Sequence, residues 1–151
     1  MRIHRIALVS IALLISFPAL AADWPPIVSE RIAKAKAAVK TVDMAALKKA
    51  VDKKEDVLIL DVREPNEYNS GYVPGAINIP RGQLEMKIWK QVGYPDKLDT
   101  TRTIYVYCAT AARSALAAET LTKLGFTHAY LVNMQLDDWK KAGYPLEGMG
   151  M

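Results

Sequence analysis

The chain of 151 residues has one cysteine, Cys108, and two histidines, His4 and His128. A single cysteine excludes an internal disulfide framework, and two histidines exclude a metal site built from several imidazoles. Aromatic residues make up only 8% of the chain and are not interleaved with basic ones. The excess of 20 Lys and Arg over 16 Asp and Glu is spread among acidic residues, so it does not describe a nucleic-acid-binding surface. There is no fixed-period repeat and no low-complexity tract. Half of the residues are hydrophobic, enough for the core of one ordinary domain.

No apolar run reaches the ~20 residues that a bilayer-spanning helix needs. The longest begins after a short basic start, Arg2, His4 and Arg5, and runs from Ile6 to Phe17 with only Ser10 and Ser16 interrupting. Pro18 breaks it, and Ala19-Leu20-Ala21 places small residues where a signal peptidase reads. Residues 1–21 are therefore expected to be a secretory signal cleaved after Ala21, making the protein periplasmic or secreted and free of the membrane afterwards. An uncleaved anchor is the alternative that the shortness of the run opposes. Cleavage removes Arg2 and Arg5, lowers the formal net charge from +4 to +2, and leaves His128 as the sole histidine. An exported protein enters an oxidising compartment, where a lone thiol is either buried and inert or reactive.

Residues 22–40 form an N-terminal extension. Its Ala- and Lys-rich part, Ser29 to Val39, reads as a helix with Ile32, Ala35 and Val39 on one side, either packed on the domain or a loose extension. Thr41-Val42 reads as a short strand, and Asp43 as the N-cap of a helix over Met44 to Val51. Val57 to Leu60 and Ile104 to Tyr107 are continuous apolar runs of strand length, suited to parallel strands buried on both faces. Between them, Glu64-Pro65 opens a helical turn through Tyr68, Ala76 to Ile79 is a short strand, and Leu84 to Val92 is amphipathic and reads as a helix. Arg113 to Leu124, closed by Gly125, is a helix, Ala129 to Val132 a strand, and Leu136 to Ala142 a short helix with Trp139 inward. Strands alternating with helices on short links predict an α/β domain with a parallel sheet.

The chemistry gathers where the strand ending at Tyr107 runs into Cys108-Ala109-Thr110-Ala111-Ala112-Arg113-Ser114 and then a helix. Ligands of open α/β sheets bind beyond the carboxyl ends of the strands. A thiol there faces free N–H groups and the positive end of a helix dipole, so its pKa is expected to fall. Small residues at 109, 111 and 112 let the loop curl around the sulfur, and the Arg113 guanidinium suits an oxyanion. A nucleophile of this kind fits an anionic sulfur donor and would carry a persulfide. The competing reading is a small buried hydrophobe at a strand end.

From about Thr41 to Gly148 the chain resembles a rhodanese homology domain. Asp61-Val62-Arg63-Glu64 with Glu67-Tyr68 is similar to the family's first signature, and Gly71 through Pro80 to its second. Tyr107-Cys108 through Arg113-Ser114 resembles the active-site loop, and Trp139 with Gly143-Tyr144-Pro145 the C-terminal motif. The resemblance implies a rhodanese-like α/β fold over residues 41–148, with a parallel sheet flanked by helices on both faces. It implies ping-pong transfer of sulfane sulfur through a cysteine persulfide, with no organic cofactor and no metal. Thiosulfate or a similar small anion is the implied donor and a thiol or cyanide the implied acceptor; nucleic acid is not a partner. Cys108 and Arg113 are the expected catalytic residues. Ala109, Thr110, Ala111, Ala112, Ser114 and Asp61 are expected to bind substrate.

Three positions depart from the family pattern. Ala111 stands where Gly is usual, at a cost on the order of 1 kcal/mol if φ is positive there. Tyr72 replaces a usual His, and Met134-Gln135 replaces a common Gly pair. Four residues separate Cys108 from Arg113, against five in the phosphatases that share the fold, which ranks phosphatase or arsenate-reductase activity below sulfur transfer. No loop carboxylate is evident for protonating a phosphate leaving group. A non-catalytic module that carries or senses sulfur, or docks, is the rival from another class. Asp61 either orients Arg113 and the loop amides or caps the following turn. Arg63 and Glu67 are expected to form an ion pair, and His128 to lie on the surface.

Overall fold

The computed structural model describes residues 24–148, so the expected signal lies outside the described residues. Helix α1 (Pro26–Ala38) leads into strand β1 (Lys40–Asp43), helix α2 (Met44–Lys53) and strand β2 (Leu58–Asp61). Helix α3 (Pro65–Asn69), strand β3 (Ile77–Asn78) and a single α-turn, α4 (Leu84–Lys87), follow. Strand β4 (Ile104–Tyr107), helix α5 (Ala112–Lys123), strand β5 (Ala129–Asn133) and helix α6 (Leu136–Lys141) complete the chain. The five strands form one parallel sheet in the order β1-β5-β4-β2-β3.

Period-two alternation sends each strand's side chains to two separate cores. Leu58, Leu60 and Val62 face the same way as Ile104, Val106 and Cys108, and α5 covers them with Ala117 and Leu121. Ile59, Tyr107 and Val132 face the other way, onto Leu47 of α2 and Leu136 and Trp139 of α6. Helices therefore cover both faces, which is why Leu58 to Leu60 and Ile104 to Tyr107 in the sheet's interior are continuous apolar runs. At the start of α2, the Asp43 carboxylate accepts the N–H of Ala46 at 2.8 Å, the N-cap bond its residue type favours.

One local expectation changes. Leu84 to Val92 is not one helix: the α-turn Leu84–Lys87 is flanked by 3-10 turns at Arg81–Gln83 and Ile88–Val92. Leu84, Ile88 and Val92 are nevertheless all buried, so the apolar spacing reflects inward packing rather than an unbroken α-helix. The Met134-Gln135 turn uses no left-handed residue, so it needs no glycine; Met134 is buried in the core around Trp139.

Of the two readings of the Ala- and Lys-rich segment, docking is what is seen. Helix α1 buries Ile32 and Ala35, and Ala35 packs with Ala115 and Ala118 of α5 and Leu131 of β5. Arg31 also pairs with Glu119 across the two helices.

Candidate active site at the β2/β4 crevice

From β2 the chain crosses to β3 at one edge, and from β4 it crosses to β5 on the opposite side. The carboxyl ends of β2 and β4 thus diverge at a switch point, where open α/β sheets form their ligand crevice. Asp61 closes β2 and is in register with Tyr107. The residue after Tyr107 is Cys108, with the loop and α5 beyond it.

Cys108 is 1% exposed. Its Sγ lies 3.4 Å from the backbone N of Ser114, which donates to it, and 3.4 Å from Ser114 Oγ. Helix α5 has no side-chain oxygen capping its N-terminus. The sulfur occupies the capping position instead, taking the N–H of the third helical residue. Among the described residues, the N–H groups from Ala109 to Arg113 make no hydrogen bonds. Ala109 uses its carbonyl to accept the N–H of Leu136 at 2.9 Å, tying the loop to α6. Thr110 is exposed, while Ala111, Ala112 and Ser114 are buried. The loop therefore leaves a run of unbonded donors leading into α5, and free N–H groups at a helix start are what binds anions there.

Ala111 lies at φ 63°, ψ 5°, the left-handed region that glycine enters freely. Its methyl is buried in the cluster that holds Ala35, Ala115, Ala118 and Leu131. Burying one methyl contributes about 0.8 kcal/mol, which offsets much of a left-handed cost on the order of 1 kcal/mol. The docked helix α1 supplies part of that packing, so Ala at this position and the N-terminal extension belong together.

The charged residues pair differently from the sequence expectation. Glu67 bonds Arg113 in a bidentate fork, Oε2 to Nη1 at 2.6 Å and Oε1 to Nη2 at 2.7 Å. Arg63 reaches Glu67 only at its backbone carbonyl, 3.0 Å away, so the expected Arg63–Glu67 ion pair is replaced by Glu67–Arg113. Asp61 is fully buried and does not touch Arg113. Its carboxylate accepts the backbone N–H of Arg63 at 2.9 Å, capping the turn, and receives Nε and Nη2 of the same residue at 2.6–3.0 Å. Arg63 Nη2 also donates to the carbonyl of Gly71 at 2.8 Å. The pair anchors the segment from β2 to Gly71, and that segment delivers Glu67 to Arg113. Asp61 thus supports the site from beneath.

A cleft of about 290 Å³ opens over the loop, lined by Ala109 and Thr110, by Arg63, Glu67 and Ser70, and by Gln135 to Asp137 with Lys140. The α6 contribution was not foreseen, since residues so far along the chain carry no sequence signal of facing the loop. Asp137 lies in this cleft, 3.3 Å from Lys140 Nζ, so a carboxylate does stand near the loop. Tyr72 stacks on Tyr68 with ring centroids 3.9 Å apart, and His128 is exposed. Among the described residues no three His, Cys, Asp or Glu are placed to hold a metal ion, and no helix is long and apolar enough to cross a membrane.

Residues 43–142 match the family model described as a rhodanese-like domain. The chain belongs to the rhodanese-like family. This rhodanese-like domain is 42% identical over 69 residues to the thiosulfate sulfurtransferase PspE of Escherichia coli, covering 46% of this chain and 62% of that one. It is 34% identical over 101 residues to YrkF of Bacillus subtilis, whose name assigns it provisionally as a sulfur carrier protein, covering 67% and 51%. The chain thus spans about half to three-fifths of the length of these relatives. The polysulfide-sulfur transferase homodimer of Wolinella succinogenes aligns with a TM-score of 0.64 at 30% identity, over 78% of this chain and 84% of that one.

Two expectations for the rhodanese-like loop arise here. Ala111→Gly removes the left-handed cost but loses the buried methyl and adds roughly 0.4–1 kcal/mol of unfolded-state entropy. The variant is expected to stay within about 1 kcal/mol of wild type in urea denaturation. A loss above ~2 kcal/mol would show that packing against α1 outweighs the strain.

The second concerns pH. The hydrogen bonds from Arg113 hold the Glu67 carboxyl at about 2, against an ordinary 4.5. A carboxyl depressed on folding stabilises fully above its unfolded value, and the contribution disappears as pH falls toward the folded value. The stability difference between wild type and Glu67→Gln is therefore expected to be constant above pH 4.5 and to shrink toward zero between 4.5 and 2. Urea midpoints across that range measure it; a difference independent of pH would mean that Glu67 acts through shape rather than charge.

Proposed function

We propose that the protein is an exported sulfurtransferase that moves sulfane sulfur from thiosulfate or a similar small anion to cyanide or a thiol through a persulfide on Cys108. The observation that carries this reading is the setting of Cys108 Sγ: at a strand end, bonded by the Ser114 N–H, in a loop whose N–H groups from Ala109 to Arg113 are unbonded. In loading, the Cys108 thiolate attacks the outer sulfur of thiosulfate. A Cys108 S–S bond forms, the donor S–S bond breaks, and sulfite leaves with the electron pair. In release, an acceptor attacks the outer persulfide sulfur, and Cys108 leaves as thiolate. The amides of Ala109 to Ala112, with Ser114, stabilise the negative persulfide, and Arg113, oriented by Glu67, attracts the donor anion.

The four-residue spacing from Cys108 to Arg113, one shorter than in the phosphatases of this fold, favours a single sulfur atom over a tetrahedral phosphate. Asp137 offers a carboxylate near the cleft, so loop size rather than the lack of an acid is what opposes phosphatase chemistry. The test compares thiocyanate formation from thiosulfate and cyanide with hydrolysis of aryl phosphates. Sulfur transfer with negligible hydrolysis is expected; faster hydrolysis would overturn the assignment. The similarity to YrkF favours a second reading, a carrier that loads sulfur without turnover. Stoichiometric loading with no thiocyanate would select it. Export rests on the run from Ile6 to Phe17, and a protein from the exported fraction beginning at Met1 would refute cleavage.

A further inference from the structure

A second, larger cleft lies on the other side of the loop. It is an open groove of about 430 Å³, lined by Trp24, Ser29, Ile32, Ala33 and Lys36 from the N-terminal segment and by Thr110 and Ala112 from the loop. Thr110 lines both this cleft and the one that opens over the loop, so the two meet at Thr110, two residues from Cys108. Trp24 stays 42% exposed, although an isolated aromatic gains by burial. Among the described residues Lys36 makes no ion pair, in contrast to Arg31 and Lys34 on the same helix. A mostly apolar cleft of this volume with one unpaired cation is suited to a small amphiphile with an anionic group.

We infer that α1 and the loop together form an acceptor subsite that takes an organic thiol with an apolar body and an anionic end. The inference rests on the persulfide reading above and specifies the acceptor for it. The apolar body lies against Trp24, Ile32 and Ala33, the anion meets Lys36, and the thiol is presented at Thr110 and Ala112. After the thiol has lost its proton to water, its sulfur attacks the outer persulfide sulfur. An S–S bond to the acceptor forms, the bond to Cys108 Sγ breaks, and Cys108 departs as thiolate, so no external oxidant or reductant is needed. The subsite also gives the docked extension a role: without α1, the cleft has only its loop wall.

The experiment uses the full chain with thiosulfate as donor and compares three acceptors: cyanide, mercaptoacetate and mercaptooctanoate. Each buried methylene is worth about fourfold, so partial burial of the longer chain predicts a kcat/KM for mercaptooctanoate at least about tenfold above that for mercaptoacetate. Ala33 is exposed, so Ala33→Phe fills the cleft with little risk to the fold and is expected to erase that preference. Lys36→Glu is expected to lower the mercaptooctanoate-to-cyanide ratio about fivefold, the scale of an exposed ion pair removed and reversed. Octanoate, which has no sulfur to accept, should compete with mercaptooctanoate and leave thiocyanate formation untouched. Equal rates for the two thiols, with thiocyanate still formed, would overturn the subsite and leave the sulfurtransferase reading standing. Octanoate inhibiting both reactions alike would also overturn it, by placing the amphiphile over Cys108. Absence of both thiocyanate and persulfide would instead overturn the reading on which the subsite depends.

Discussion

Incubated with thiosulfate, the protein is expected to gain the mass of one sulfur atom per chain, and Cys108→Ser to gain none. The stoichiometry is bounded at one because Cys108 is the only cysteine. A hydroxyl at this position keeps the size of the side chain but is a far weaker nucleophile and forms no persulfide. Ser114 Oγ, 3.4 Å from the sulfur, cannot take over for the same reason. Thiocyanate formation in the variant is expected to fall to the uncatalysed rate, the largest change any single substitution should produce. Circular dichroism should remain that of wild type, because the surrounding core is untouched. Intact mass spectrometry decides the matter: a sulfur adduct on the variant would place the nucleophile elsewhere, and no adduct on wild type would return Cys108 to an inert buried thiol.

Asp61→Ala is expected to destabilise the fold by about 3–5 kcal/mol, the range for removing one partner of a buried ion pair. Asp61 is 0% and Arg63 5% exposed, so neither charge has water in place of the other. With the carboxylate gone, the guanidinium keeps only the carbonyls of Glu67 and Gly71. Asp61→Asn retains an acceptor for the Arg63 N–H but not the charge, and should fall between wild type and Asp61→Ala. Urea denaturation at neutral pH measures the series. A loss below ~1 kcal/mol for Asp61→Ala would mean that water or rearrangement rescues Arg63 and that the pair does not anchor the loop. Sulfur transfer by the folded fraction should also weaken, since the anchored segment carries Glu67, and Glu67 orients Arg113.

These side-chain partnerships mark where sequence reasoning stopped. The position of Cys108 at a strand end, under a helix start, was legible because the apolar run Ile104–Tyr107 and the periodicity of α5 bracket it. The expected ion pair of Arg63 with Glu67 does not form, because Arg63 precedes α3 and its guanidinium turns to Asp61. Glu67 instead meets Arg113, 46 residues away, across the β2/β4 crevice. The amphipathic stretch from Leu84 to Val92 kept its burial pattern while its backbone tightened into 3-10 turns, since periodicity reports which side faces inward and not which hydrogen-bond ladder is used.

The sequence alone determined the class of the fold and the order of its elements and singled out Cys108 as the candidate nucleophile, because hydrophobic period, capping residues and a single cysteine can be read without tertiary contacts. Tertiary structure decided the rest. It joined Glu67 to Arg113 and turned Asp61 toward Arg63. It set Ala111 in a left-handed conformation under the docked helix α1, and it brought Trp24 and Lys36 to the edge of the Cys108 loop. Each of these depends on how separate elements cross the sheet. Polar side chains choose partners by distance in space, and one sequence pattern is compatible with many such choices until packing selects one.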